Sequence, residues 1–310
     1  MRISSALYFQ TGLNSINKQQ SDLVHTFQQL GSGKRMITAA DDPLAAAQTI
    51  TLGQSQSMNL RFAENRHVAL RNLGEEENVL MSLVPQVREV KVRLIEASND
   101  TYSYADRASV ADVLKEMKES IHGLMNGRDA SGQYLFSGSK GNDSPYGYDK
   151  NQDVGKRYFF KGDTHSRLVQ ADQTRQIDSA DHGKHLFGEK DSANILNVMD
   201  KVIVALQDKN LSSEDLHDDL DEAMRWVDKT YDNILTVRAS VGARMNEIEA
   251  IDSSGKLQGL HLASEISRLE DLDYYSASTQ LELRTSALEA AALAFKKIQS
   301  TNLFAINARG

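Results

Sequence analysis

The chain contains no cysteine, only three prolines and one tryptophan in 310 residues, and no long apolar run. Without cysteine, disulfides, thiolate zinc sites and cysteine nucleophiles are all excluded. The prolines, Pro43, Pro85 and Pro145, leave long stretches free of the residue that most reliably ends a helix. Nothing approaches the ~18 consecutive apolar residues of a membrane span. The start, MRISSALYFQTGLNSINKQQ, also lacks the apolar core of a secretory signal. On those signals the protein reads as cytoplasmic, provided that export follows the ordinary route. A net positive charge is lacking as well. The formal net charge of −8 argues against nucleic acid or an anionic membrane as a partner, since phosphate binding needs a basic footprint.

What the chain does have is heptad spacing. Phe9, Leu13, Ile16, Gln20, Leu23, Phe27 and Leu30 recur at intervals of four and three, a coiled-coil seam with one polar member. A second seam runs Leu80, Leu83, Val87, Val90, Leu94, Ala97, with Pro85 inside it expected to kink or restart the helix. A third runs Val110, Leu114, Met117, Ile121, Leu124. The longest runs Leu220, Met224, Val227, Tyr231, Ile234, Arg238, Val241, Met245, Ile248. Near the end, Ala277, Leu281, Leu288, Ala291, Phe295 and Ile298 keep heptad positions, with Arg284 filling the missing one. Beside them Leu283, Ala287, Ala290 and Ala294 add an alanine-rich stripe, so this helix can meet more than one neighbour.

Between the helical halves, residues 131–190 are dense in Gly, Asn and Asp. The runs QYLF, KRYFF and SRLVQA there read as strands between turns. The expected fold is mainly α with a small inserted β domain, arranged as an elongated antiparallel helical rod. Five segments follow: an assembly segment at 1–41, a first rod half at 42–130, the β insert at 131–190, a second rod half at 191–261, and a C-terminal assembly segment at 262–310. The insert is expected to fold locally and face solvent.

Motifs that suggest chemistry fail on inspection. The GSGK at 31–34 has Gln28 where a phosphate loop needs its first glycine and Arg35 where it needs Ser or Thr, and it follows a helical seam. It reads instead as a helix end with Gly31 in the left-handed cap. Asp41 and Asp42 resemble an acid/base pair, but Pro43 favours Asp42 as N-cap with the proline as first helical residue. His165, His182 and His185 lie in the insert without a matching carboxylate set for a metal. DKNQDVG at 149–155 places its glycine one position late for a calcium loop, and FSGSKG has Ser137 where a nucleophile elbow needs glycine. Trp226 reads as a packing residue. No catalytic, cofactor-binding or metal residues are assigned.

The paired signatures LGSGKRMITAADDPLAAAQTI near residue 40 and SVGARMNEIEA at 240–250, with the tail TQLELRTSALEAAALAFKKIQSTNLFAIN, resemble the flagellin family. DDPLAAAQ and the insert GQYLFSGSK…YFFKGD are similar to its hook-filament junction type, while a short filament-forming flagellin stays open. Gly31 in place of the usual serine, and Pro85 inside a helix, depart from the pattern. The resemblance implies a structural, non-enzymatic subunit of the bacterial flagellum, secreted in unfolded form through its central channel and assembled at the tip. Its implied partners are further copies in an axial ring, a neighbouring hook-associated protein, flagellin, and an export chaperone on the C-terminal segment. The implied assembly residues are Phe9, Leu13, Ile16, Leu23, Phe27, Leu30, Leu281, Leu288, Ala291, Phe295 and Ile298. A module of a different class, a secreted hydrolase or metal binder built on the insert's histidines, is the remaining alternative.

The ends can also be argued physically. Burying the seam positions of one terminal helix offsets only part of the backbone entropy of ordering about 30 residues. Both ends are therefore expected to be marginal alone and to order when neighbouring subunits cover their second faces.

Overall fold

The structure, a computed structural model, describes residues 2–188 and 194–300. Among them are seven helices: α1 (Arg2–Ser32), α2 (Pro43–Ala97), α3 (Tyr104–Met125), α4 (Gly183–Phe187), α5 (Ile195–Gln207), α6 (Ser213–Glu270) and α7 (Tyr274–Ser300). Four three-residue strands lie between α3 and α4: β1 (Tyr146–Tyr148), β2 (Tyr158–Phe160), β3 (Leu168–Gln170) and β4 (Gln176–Asp178). The chain is thus mainly α with a small β-containing insert.

Helix starts are written in side-chain oxygens. Ser103 accepts the Asp106 amide while Asp106 accepts the Ser103 amide, a reciprocal capping box that opens α3. Asn194 accepts from the Asn197 amide at 2.9 Å at the start of α5, and Ser212 accepts from Asp215 at 3.1 Å before α6. Of the two outcomes expected at Pro85, a restart does not occur: α2 continues through it. Leu80, Leu83, Val87 and Val90 around that point are fully buried, so packing outweighs the ~3 kcal/mol that an interior proline costs.

Two compact units divide the chain: a central one of residues 59–256 and a terminal one of residues 1–58 and 257–310. The central unit holds a continuous core. Seam residues Leu80 to Ala97 of α2, Val110, Leu114 and Ile121 of α3, and Leu220, Val227, Ile234, Val241 and Ile248 of α6 are all buried in it. Tyr231, Met224, Met245 and Trp226 pack against its edge. α5, apolar nearly all round, lies along α3 and is buried over most of its length.

The insert differs from its sequence reading in two ways. KRYFF and SRLVQA contain β2 and β3, but QYLF is not a strand: Tyr134 makes one isolated bridge, to Arg128, in a turn-rich segment that buries Leu135 and Phe136. The strands that pair are β1 with β2 and β3 with β4, two separate antiparallel hairpins. Three-residue strands carry too little alternation for the period-2 signal.

Nor does the insert fold as a module of its own. Its Leu135, Phe136, Tyr146, Tyr158, Ile177 and Phe187 belong to the same core as the helices. Arg66 of α2, almost wholly buried, donates to the Ala171 carbonyl at 3.0 Å and pairs with Asp252 of α6 at 3.0 Å. Asp200 of α5 binds both Lys118 of α3, at 2.7 Å, and Arg157 beside β2, at 3.3 Å. Two two-stranded ribbons are too small to bury a face by themselves, so the helices supply it.

Candidate functional site

In the terminal unit, α1 ends two residues beyond its seam, at Ser32, and the left-handed residue is Gly33 (φ +69°), not the expected Gly31. The Gly33 amide donates to the Gln29 carbonyl at 2.9 Å, closing the helix, and its carbonyl accepts the Leu272 amide at 3.0 Å. A Cβ at Gly33 would stand 2.8 Å from the Tyr274 hydroxyl, so position and conformation both call for glycine. Lys34, the residue a phosphate loop would aim at its ligand, pairs with Glu270 at 2.9 Å. Arg35 donates its amide to the Glu270 carbonyl at 2.7 Å, its Nε to the Leu269 carbonyl at 3.2 Å, and both terminal nitrogens to Asp42 at 3.1 Å. The GSGKR stretch is therefore a tie between the ends of α1, α2 and α6.

The two aspartates divide the work of the same loop. Asp42 accepts the Ala45 amide at 3.0 Å with Pro43 as the first residue of α2. That amide, and then Arg35, hold its carboxyl below the usual range. Asp41 turns back instead, accepting the Thr38 and Ile37 amides at 2.8 Å each, and these lower it to about 2. A carboxylate so committed cannot serve as a general base near neutral pH.

The helices carrying the proposed assembly residues pack against each other in antiparallel fashion. The Phe9 and Phe295 rings meet at 5.1 Å between centroids, and the Arg284 guanidinium of α7 donates to the Asp22 carbonyl of α1 at 2.5 Å. Gly12 opens the gap for Phe295: a Cβ there would lie 2.7 Å from its ring. Sequence reasoning passed over Gly12, although a glycine inside an otherwise regular helical pattern signals close approach.

This contact covers one face only. Leu13, Ile16, Leu23, Leu30, Leu281, Leu288, Ala291 and Phe295 are half-buried, while Phe9 is 43% and Phe27 68% exposed. On the adjoining stripe Leu283 is 66% and Leu293 68% exposed. Ile298 lies in α7, but its side chain is outside the described ones, as is the segment from 301 onward. Apart from Ala45, Leu262 and Ala277, buried hydrophobic residues among those described fall in the central unit. The terminal unit thus presents two apolar faces and uses one.

The residues considered for other chemistry do not converge. His165 is exposed beside Asp163, while His182 caps α4 by accepting the His185 amide at 3.3 Å. Among the described residues no three His, Asp or Glu side chains are grouped to hold a metal ion. Asp149 and Gly155 (φ +80°) shape the turn between β1 and β2, and Gly138 (φ +68°) abuts Asp163. A cleft of about 400 Å³ is lined by His122, Lys118, Arg157, Tyr158 and Asp200, and its buried lysine and its arginine both face the one aspartate. Glu76, wholly buried, accepts the Asp181 amide through Oε2 and leaves Oε1 without a hydrogen bond. Burial, then the Asp181 charge, push its carboxyl well above the usual range against the pull of Arg244.

Residues 3–141 match the model of the bacterial flagellin N-terminal helical region, and residues 224–305 that of the C-terminal helical region. Flagellar hook-associated protein 3 of Escherichia coli (strain K12) is 28% identical over 99% of this chain and 100% of its own length. A flagellin of Bacillus subtilis (strain 168) is 23% identical over 88% of each. The crystal structure of flagellar hook-associated protein 3 from Legionella pneumophila superposes with a TM-score of 0.63 at 16% identity, covering 71% of this chain and 98% of that one. Both terminal helical regions, matched in order around a core they share with the insert, place this chain in the bacterial flagellin family.

Proposed function

We propose that the protein is a structural subunit of the bacterial flagellum that joins hook to filament as an axial adaptor, polymerising through its terminal helices. One observation carries the reading. α1 and α7 bury part of their seams against each other and leave further apolar surface, Phe27 at the seam's edge and Leu283 and Leu293 on the adjoining stripe, open to further copies or neighbouring axial proteins. The likeness to hook-associated protein 3 over the full length, insert included, favours the junction role over a filament subunit. On this reading the segments 1–41 and 262–310 are the assembly segments, and the partners are copies in a ring, a neighbouring hook-associated protein and flagellin. A chaperone holds the C-terminal segment before export. The protein is secreted through the growing flagellum and has no enzymatic role.

The test is a strain lacking the protein. Intact hooks without filaments, with filament subunits released into the medium and filaments restored by the wild-type chain, support the reading. Normal filaments in that strain would overturn it, and bare hooks with no released subunits would indicate the filament protein itself.

A further inference from the structure

The chain holds a single Asn–Gly pair, Asn126–Gly127, placed where α3 ends. In an unfolded chain this pair is reactive. Glycine carries no side chain and bends freely, so its backbone nitrogen can reach the Cγ of the asparagine before it. A bond forms from that nitrogen to Cγ, the bond from Cγ to Nδ2 breaks, and ammonia leaves with the glycine's amide proton. Water then opens the resulting succinimide at either carbonyl, giving aspartate or isoaspartate. One water is consumed, one ammonia is released, and nothing is oxidised or reduced.

In the folded protein both partners of that reaction are occupied. The Gly127 amide donates to the Leu124 carbonyl at 3.0 Å, and the Gly127 carbonyl accepts the Leu135 amide at 3.0 Å. Asn126 Oδ1 accepts the Tyr146 amide at 3.0 Å, while its Nδ2 donates to the Tyr146 carbonyl at 3.2 Å and to His122 Nε2 at 2.9 Å. Burial holds His122 below its ordinary pKa, so the ring is neutral and this nitrogen can accept. The Asn126 side chain thus pairs with the first residue of β1 as a strand's backbone would, and Tyr146 is 2% exposed within the core. A Cβ at Gly127 would lie 3.0 Å from the Leu124 carbonyl oxygen, 3.5 Å from Val79 and 3.7 Å from Leu135. Packing therefore calls for the same small residue that makes the pair reactive.

We infer that Asn126–Gly127 is a self-modification site governed by folding: water converts Asn126 in the unfolded chain, the folded chain shuts the reaction off, and the product loses the anchor on Tyr146. Aspartate sets an oxygen against the Tyr146 carbonyl and His122 Nε2, where two donors stood. Isoaspartate lengthens the main chain by one carbon beside Gly127, which is held through both its amide and its carbonyl. A chain that waits unfolded ages at a position that its own folding then tests. The chemistry holds for the chain in any role; that such waiting precedes export rests on the flagellar reading.

The central unit closes its own core, so the dilute full chain serves for the test. Wild-type protein is held in native buffer and in guanidinium chloride at one neutral pH and temperature, and conversion at Asn126 is followed by peptide mass spectrometry. Asn233, shielded by the β-branched Ile234 after it, is the internal reference. The unfolded chain should convert at least about tenfold faster, because attack in the folded state waits on local opening. The aged chain is then returned to native buffer, and isoaspartate at 126 should be enriched in the protease-sensitive fraction. Asn126→Asp should lower the midpoint of chemical denaturation at neutral pH. Equal conversion in the two states, modified chains that refold as well as unmodified ones, or an unchanged midpoint for Asn126→Asp would each overturn the proposal. None of these results bears on the hook-filament role, which is read from filament release.

Discussion

Asp42 shows how one residue can be read two ways and which physics decides. Its neighbour Asp41 made it look like half of a catalytic pair, but Pro43 and the apolar run behind it point to a cap, and its oxygens are taken by Ala45 and Arg35. Replacing it with alanine should fray the first turn of α2, seen as faster amide exchange at Ala45 with unchanged exchange at Leu94; equal protection at Ala45 would show the cap to be idle. Both aspartates have lowered pKa values, so their stabilisation is present above the ordinary carboxylate range. It fades as pH falls, for Asp41 through about 2. Glu76 has the opposite sign. Its folded pKa lies above the unfolded value of 4.5, so the folded state binds the extra proton, and stability falls as pH rises from about that value through the folded pKa. Glu76→Gln should therefore flatten the decline in melting temperature with rising pH, the two proteins converging toward pH 4.5; parallel curves would mean that the buried carboxyl does not titrate in this range. No sequence signal marked Glu76, because burial of a carboxylate is a tertiary fact.

Among the elements, the helices of the central unit were legible because heptad spacing is a long-range pattern: Leu80 through Ala97 are buried at each position read from the chain, and along α6 Leu220, Val227, Ile234, Val241 and Ile248 are buried, but the positions between them are filled by Ala223, Thr230 and Val237, one residue before the Met224, Tyr231 and Arg238 that the spacing named. Three-residue strands offered no such pattern, and QYLF was misread because its apolar residues are buried through turns. The helix end at Gly33 was misplaced by two residues because GSG offers two glycines, and only the pairing with Leu272 and Tyr274 selects between them. Substitutions should sort by element. Ile234→Asp puts an unpaired carboxylate into the core and should cost on the order of 3–5 kcal/mol in chemical denaturation of the monomer. Leu281→Asp, half-buried on α7, should leave that unfolding transition nearly in place while preventing incorporation into flagella. A comparable loss of monomer stability for Leu281→Asp would show that the terminal pair belongs to the cooperative core.

For the molecule as a whole, the division of labour follows from where apolar surface is covered. The central unit closes its own core, with the insert stitched in by Arg66, Lys118, Arg157 and Asp200. The terminal unit is half-covered, and this fits a chain whose ends complete their packing on neighbours. The flagellin resemblance was readable from the paired signatures because the first closes α1 and caps α2, while the second, inside α6, places Val241, Met245 and Ile248 on its core-facing side. The insert's dependence on the helices was not, since nothing local announces which surface a short hairpin will lean on. Hydrogen exchange on the dilute, verified monomer tests the central claim most directly. Residues 10–30 and 275–297 should exchange quickly while 80–94 and 234–248 remain protected. Slow exchange at both ends in the single subunit would contradict the account and indicate a chain that completes its packing alone.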